Sequence, residues 1–355
     1  MQPIIICKHF SVSGNPVTCE SFGHGHINST YKVVTDEGCA YVLQHINKYV
    51  FTNPPQLMEN ASRVTNFIRE KGFTALCFIQ EIGGTYCFQD DEGEYWRCYE
   101  FVEGFSMDAA ETAEDFYQSA LAFGQFQDQL SDFPADTLYE TIPNFHNTPE
   151  RLRQLKDTIA ADTAGRLASA KPEVEFFLAN EALASRLQQM LENGELPLRV
   201  THNDTKLNNV LLDNDTHKPL CVLDLDTVMP GLSAYDFGDS IRFGGNTAAE
   251  DEPDASKMKL DAAKFRAFTK GFLEAAPSLT DTEVSVLPLG AFTITLEIGS
   301  RFLADYLNGD KYFRTAYPEH NLVRARTQIA LCADMLLHWD EMNAIVAQVA
   351  KEVRG

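Results

Sequence analysis

His202, Asp204, Lys206 and Asn209 fall inside one short stretch, THNDTKLNNVLLD (201–213), and Asp224 closes an apolar run, LCVL, fifteen residues past Asn209. Residue types at this spacing fit the transfer of a phosphoryl group. One carboxylate, Asp204, orients a hydroxyl and takes its proton, while the amide oxygen of Asn209 and the carboxylate of Asp224 are hard donors suited to Mg2+. Lys206, two residues past Asp204, is placed to lie against a γ-phosphate and offset charge developing there. The same residue types would also serve a polar hairpin loop capped by Asn and Asp. The full spacing, H-x-D-x-x-x-x-N followed by an apolar strand that ends in Asp, is more specific than a lone H-x-D and favours the chemistry. No Walker A run is present, which excludes the P-loop route to phosphoryl transfer.

Such a loop needs a frame. LRVTHNDTKLNNVLLD runs through a polar loop into a strand, and KPLCVLDLDTVMPG supplies a second strand, so the two form a hairpin with polar groups before the first strand and after the second. Residues 16–46 alternate apolar and polar positions with breaks at GHGH (Gly23–His26) and DEGC (Asp36–Cys39), the pattern of three short antiparallel strands. PPQLMENASRVTNFIREKG reads as a helix, with prolines at its start and Gly72 at its end. Strand-like segments follow at 76–82, 85–89 and 94–102. From Glu111 the pattern turns helical, as in ETAEDFYQSALAFGQFQDQLSDF. A sheet-rich first third feeding a helical remainder predicts an α+β chain of two lobes, 1–103 and 104–355, with the connector near EFVEGFS (100–106).

Composition narrows the partners. With 355 residues the chain is long enough for two sizeable cores. Lys and Arg number 29 against 51 Asp and Glu, a formal charge of −22, which argues against a nucleic-acid backbone as partner. The acidic runs DDEGE and EDEPD read as solvated loops. Eight scattered cysteines without a C-x-x-C pair read as reduced thiols, neither a disulfide framework nor a zinc site. The start, MQPIIICKHF, lacks the charged opening of a signal peptide, and the apolar stretch at 287–299 is broken by Thr293, Thr295 and Glu297. The expectation is a cytoplasmic protein with no membrane contact.

HNDTKLNN with VLDLD resembles the catalytic and metal loops of the aminoglycoside phosphotransferase and choline kinase superfamily, relatives of the protein kinases. GHGHINSTY, YVLQHIN, DLDTVMPG, YDFGDSIRFG, RFLADYLNGDKYF and YPEHNLVRARTQI, spread from residue 23 to 329, narrow the resemblance to the N-acetylhexosamine 1-kinases. The first two motifs carry only the superfamily; those in the second lobe carry the narrower likeness. It implies a protein-kinase-like fold, with an antiparallel nucleotide-binding lobe and a larger, mostly helical lobe for catalysis and substrate. It implies Asp204 as the base, Asn209 and Asp224 as Mg2+ ligands, and Asp226 as a further candidate at the metal. YDFGD imitates the D-F-G of protein kinases, but the metal aspartate belongs at the end of the strand after the catalytic loop, where Asp224 stands. Asp236 and Asp239 are expected to brace the loop, with direct sugar contact as the alternative. His26 and His202 read as structural, His202 holding the loop by hydrogen bonding.

On the ATP side, GHGHIN keeps two glycines of a G-x-G-x-x-G loop, Gly23 and Gly25, which would let backbone N–H groups approach phosphates; the pattern also suits an ordinary hairpin turn. YVLQ puts Gln44 where the superfamily carries a phosphate-binding lysine, a departure, since a neutral amide cannot neutralise phosphate charge. Adenine is expected against the backbone of Glu100 and Val102. For the sugar, the resemblance points to Phe243, Arg301 and Tyr312, together with Asp204 at the reacting hydroxyl. Against this, Arg301 and Asp305 lie four apart on a probable helix and would pair, and Tyr312 would suit a core.

The activity this implies is ATP- and Mg2+-dependent phosphorylation of the anomeric hydroxyl of N-acetylglucosamine or N-acetylgalactosamine, giving the 1-phosphate and ADP. Two other readings stay open. One is a kinase of the same fold acting on an aminoglycoside, choline or homoserine. The other, supported by Gln44 alone, is a pseudokinase that binds nucleotide and regulates a partner.

Overall fold

The alternation of residues 16–46 resolves into three antiparallel strands in the computed structural model, which describes residues 2–23 and 27–355. β1 (Pro16–Ser21), β2 (Ser29–Thr35) and β3 (Ala40–Ile46) pair in chain order. Two short strands, β4 (Phe78–Ile79) and β5 (Phe88–Gln89), precede β6 (Tyr95–Glu100). β6 pairs with β3, giving the order β1-β2-β3-β6-β4 with β5 also on β6. The segments expected as strands at 76–82 and 85–89 are extended over two residues each, because only Phe78–Ile79 and Phe88–Gln89 fall into register with β6. The register that matters most sets Gln44 of β3 directly opposite Arg97 of β6.

Two units divide the chain. One comprises Met1–Ser106, Asp132–Pro143 and Leu211–Pro230; it holds the six-stranded sheet and the helix Pro54–Glu70. Asn53 caps that helix by accepting from the Gln56 N–H, Pro54 and Pro55 occupy its first turn, and Gly72 follows its end at φ +86. Its buried stripe is Leu57, Met58, Ala61, Val64 and Ile68. Val33, Leu43, Trp96 and Cys98 of the sheet form a core with Ile6, Cys7 and Phe10 of the N-terminal segment. The expected hairpin closes between Val210–Leu212 and Pro219–Val222.

The other unit comprises Met107–Ser131, Asn144–Val210 and Gly231–Gly355 and is mostly helical. Its aromatic centre is Phe237, ringed edge-on by Phe265, Phe268 and Phe272 at 5.5–5.9 Å. The helix Ser233–Gly244 crosses the helix Leu287–Leu307 at two glycines. A Cβ on Gly238 would lie 2.3 Å from the Gly290 carbonyl oxygen, and one on Gly290 would lie 2.2 Å from that of Ala234. The glycine of YDFGD therefore serves a helix crossing. All eight cysteines are free thiols. No helix among the described residues is long and apolar enough to cross a membrane.

Candidate active site

The strand Arg199–Thr201 delivers the chain to a loop that one helix pins from below. Asp236 accepts from the backbone N–H groups of His202 (2.9 Å) and Asn203 (2.8 Å) and from the Gln127 amide (2.6 Å). Three residues on, Asp239 accepts from the Thr205 N–H at 2.9 Å, while Thr205 and Ser240 close hydroxyl bonds at 2.6 and 2.9 Å. Carboxylates at i and i+3 share a helix face, so a single helix clamps both flanks of Asp204. Burial pushes the Asp236 carboxyl up, against the pull of His202 and the donated N–H bonds. Burial also opposes charge on Asp239, but Arg242, Lys206 and His146 outweigh it and hold that carboxyl low. Asn203 takes the left-handed conformation (φ +64) that lets the backbone turn between the clamps, a conformation asparagine tolerates.

Asp204 itself takes other partners. Its carboxylate pairs with Lys206 Nζ at 2.7 Å and accepts from Asn209 Nδ2 at 3.1 Å, and its own N–H donates to His202 Nδ1 at 3.3 Å. The His202 ring sits edge-on to Phe123 and Phe126. Asn209 Nδ2 also donates to the Asp204 carbonyl at 2.8 Å, which fixes the amide. Burial disfavours the Lys206 ammonium, but Asp204 and Asp239 more than compensate and keep it charged.

Sequence reading missed what joins this loop to Arg301. His146 faces the Asn203 carbonyl through Nε2 (3.3 Å) and Glu297 through Nδ1 (2.9 Å), and the other Glu297 oxygen accepts from Thr148 at 2.8 Å. Both ring nitrogens thus lie against oxygens, one of a carboxylate and one of a backbone carbonyl. One helical turn after Glu297, the Arg301 guanidinium lies among Phe145 (5.6 Å), Tyr312 (5.8 Å) and Phe313 (5.6 Å). It makes no hydrogen bond or ion pair among the described residues. The Arg301–Asp305 pairing weighed from the sequence is absent, because Asp305 accepts from the backbone of Lys311, Tyr312 and Phe313 and from Asn321, all at 2.9 Å. Asp305 thus shapes the aromatic loop around Arg301. Nor is Tyr312 in the core, being 68 % exposed. Phe243 stands half-buried at the end of the Ser233–Gly244 helix and makes no ring contact with this cluster among the described residues.

The other unit carries the remaining candidates. Gln44 accepts from Arg97 Nε at 2.7 Å and donates to Thr30 at 2.9 Å. Arg97, 2 % exposed, forms a buried ion pair with Asp226, whose second oxygen accepts from Asn28 at 2.6 Å. The long helix offers no acidic partner there. Its Glu59 is exposed, and its buried Asn60 bonds the backbone of Tyr139 and Val228. Asp224, exposed, holds a left-handed conformation at φ +54. Gly23 has φ +76, while Gly25 and His26 lie outside the described residues. At the connector the Glu100 N–H is taken by the Cys77 carbonyl, whereas the half-buried Val102 N–H has no partner among the described residues.

The described residues contain no cluster of three or more His, Cys, Asp or Glu able to hold a metal. An amide oxygen and one exposed carboxylate suit a hard cation that arrives with a polyphosphate and keeps several other ligands. Asn209 belongs to the mostly helical unit and Asp224 to the other.

The sequence matches the phosphotransferase enzyme family over residues 18–272. Similar solved structures include a microcompartment-associated aminopropanol kinase, 16 % identical over 96 % of this chain and 97 % of that one, with a TM-score of 0.65. A choline kinase from Cryptosporidium parvum Iowa II is 12 % identical over 97 % and 98 %, with a TM-score of 0.60. An amicoumacin kinase in complex with AMP-PNP, Ca2+ and Ami is 13 % identical over 88 % and 87 %, with a TM-score of 0.58. At these identities the likeness is one of fold, the protein-kinase-like pairing of an antiparallel sheet with a helical lobe. The loop geometry and the family match agree: the chain belongs to the phosphotransferase enzyme family.

Proposed function

We propose that this phosphotransferase is an ATP- and Mg2+-dependent sugar 1-kinase acting on N-acetylhexosamines. The observation that carries the reading is Arg301: a guanidinium with no hydrogen bond or ion pair among the described residues, walled by aromatic rings and tied through Glu297 and His146 to the peptide beside Asp204. Its N–H fork suits the hydroxyl and carbonyl oxygens of a neutral sugar, and an exposed ring such as Tyr312 suits an apolar sugar face.

In the reaction, the acceptor's C1 hydroxyl oxygen attacks the γ-phosphorus of ATP, the bond to the bridging oxygen breaks, and ADP leaves. Asp204 receives the hydroxyl proton. Phosphoryl transition states are loose, so alignment of that hydroxyl outweighs early proton removal. Lys206, held charged by Asp204, lies ready to offset charge on the transferred group. Asn209 and Asp224 would hold Mg2+, which when bound neutralises the phosphates. The Val102 N–H and the Glu100 carbonyl would meet adenine.

The neighbouring aminopropanol and choline kinases favour a second reading, an amino-alcohol acceptor. Arg301 speaks against it. The ring faces that could cage an ammonium already surround a cation, and the Arg301 charge reaches as far as Arg151, where it adds to burial in disfavouring that second guanidinium. The test is ADP release with N-acetylglucosamine, N-acetylgalactosamine, glucose, choline, 1-amino-2-propanol and an aminoglycoside. The acetylated sugars should give the highest kcat/KM; an amine that exceeds them refutes the sugar assignment.

A further inference from the structure

Position 44 lacks the lysine that would bring positive charge to the nucleotide side, yet the sheet holds a cation there. Arg97 stands opposite Gln44 in the β3–β6 register, and Gln44 accepts from its Nε. The Nη1 group pairs with Asp226 and lies 3.8 Å from the Met58 sulfur. Asp226 is engaged at both oxygens, by Arg97 and by Asn28, whose side-chain amide oxygen accepts from the Asn47 N–H at 3.0 Å. The Arg97 and Asp226 side chains are each 3 % exposed. Asp224, two residues earlier, is exposed.

Two carboxylates so close in the chain, both left bare, would repel each other and an anionic ligand. Arg97 resolves this by treating them unequally. Burial works against its charge, but Asp226 first and Asp224 further off more than compensate, so both carboxylates feel the one guanidinium. Turning Asp226 toward a metal would break a buried ion pair and strand both charges. We infer that Arg97 is the positioning residue of the nucleotide half-site: by committing Asp226 to an ion pair, it leaves Asp224 as the carboxylate of the DLD turn that meets a metal–nucleotide. This rests on the kinase reading and answers why a glutamine suffices at position 44. It also removes Asp226 from the metal ligands.

The consequence is a coupled pair of errors. Without Arg97, the Asp226 carboxylate stands bare beside Asp224. Without the Asp226 carboxylate, Arg97 turns its charge on Asp224 and competes with the metal. Removing both should relieve both. The experiment measures Mg-ATP binding by calorimetry, with melting temperature as a folding control, for wild type, Arg97→Gln, Asp226→Asn and the double variant. Each single variant should weaken Mg-ATP binding on the order of 10-fold, and the double should return to within about threefold of wild type. If Arg97→Gln does not fold, Asp226→Asn against the double variant decides alone. A folded single variant that binds Mg-ATP as wild type does, or a double variant no better than Asp226→Asn, overturns the inference. Wild-type protein that binds no Mg-ATP refutes the kinase reading itself, and this inference with it.

Discussion

Before any substrate arrives, Asp204 is held by the Lys206 ammonium, the Asn209 amide and its own bond to His202. An asparagine there keeps the shape and loses the proton acceptor. Asp204→Asn should lower kcat by about 10²–10⁴-fold with Mg-ATP affinity little changed, measured by coupled ADP release and calorimetry. Near-normal turnover would remove Asp204 from the base position. Arg301 makes a different prediction. A lysine cannot reproduce the planar fork, so Arg301→Lys should raise the sugar KM roughly 10- to 150-fold, the worth of one charged hydrogen bond, and leave the ATP KM nearly unmoved. Because Asp305 is committed to the 311–313 backbone, the variant should not lose a helix ion pair. A fall in melting temperature with both KM values intact would return Arg301 to a structural role.

The elements that aim these residues differ in how plainly the chain announces them. The three strands of 16–46 and the helix Pro54–Glu70 were legible because their signals are local: alternation, prolines at a helix start and a glycine after its end. The loop from His202 to Asn209 was legible because its chemistry is contiguous. Arg97, His146 and Glu297 were not, because each acquires meaning only through a partner 129, 57 or 151 residues away, and nothing beside them in the chain marks it. Gly238 shows the converse hazard, a familiar local string with an unrelated use. Its Cβ space is filled by the Gly290 carbonyl, and the same helix carries Asp236 and Asp239, which hold the His202–Asn209 loop. Gly238→Ala should therefore cost about 1–3 kcal/mol of stability and lower kcat as well, read from denaturant unfolding and turnover. A folded, fully active variant would mean that the crossing does not set the loop.

At the scale of the whole molecule, the mostly helical unit is stapled by an ion pair that ties the strand leading into the His202–Asn209 loop to a glutamate 84 residues further on. Glu283 accepts from Arg199 at 2.6 and 2.7 Å, caps its own helix through the Thr280 N–H, and is 2 % exposed. Burial raises its carboxyl, but Arg199 and the Thr280 N–H outweigh it and hold the group below the ordinary glutamate range. A depressed folded value means the stabilisation is complete above the unfolded value and is lost as pH falls through the folded one. Glu283→Gln should cost at most about 3–5 kcal/mol near neutral pH. The gap to wild type should begin to close as pH falls below the unfolded glutamate value of about 4.3 and go on closing through the lower folded one, when melting temperatures are compared. A gap that stays constant across that range would contradict the pairing. The account's central claim, transfer of a phosphoryl group to the anomeric oxygen of an acetylated sugar, is tested most directly by phosphorus NMR of the product formed from ATP and N-acetylglucosamine or N-acetylgalactosamine. The account predicts a new phosphomonoester resonance split by the single C1 proton of the sugar. A resonance coupled to two methylene protons, as phosphorylation at C6 would give, contradicts it, as does the absence of any sugar phosphate while ADP is released.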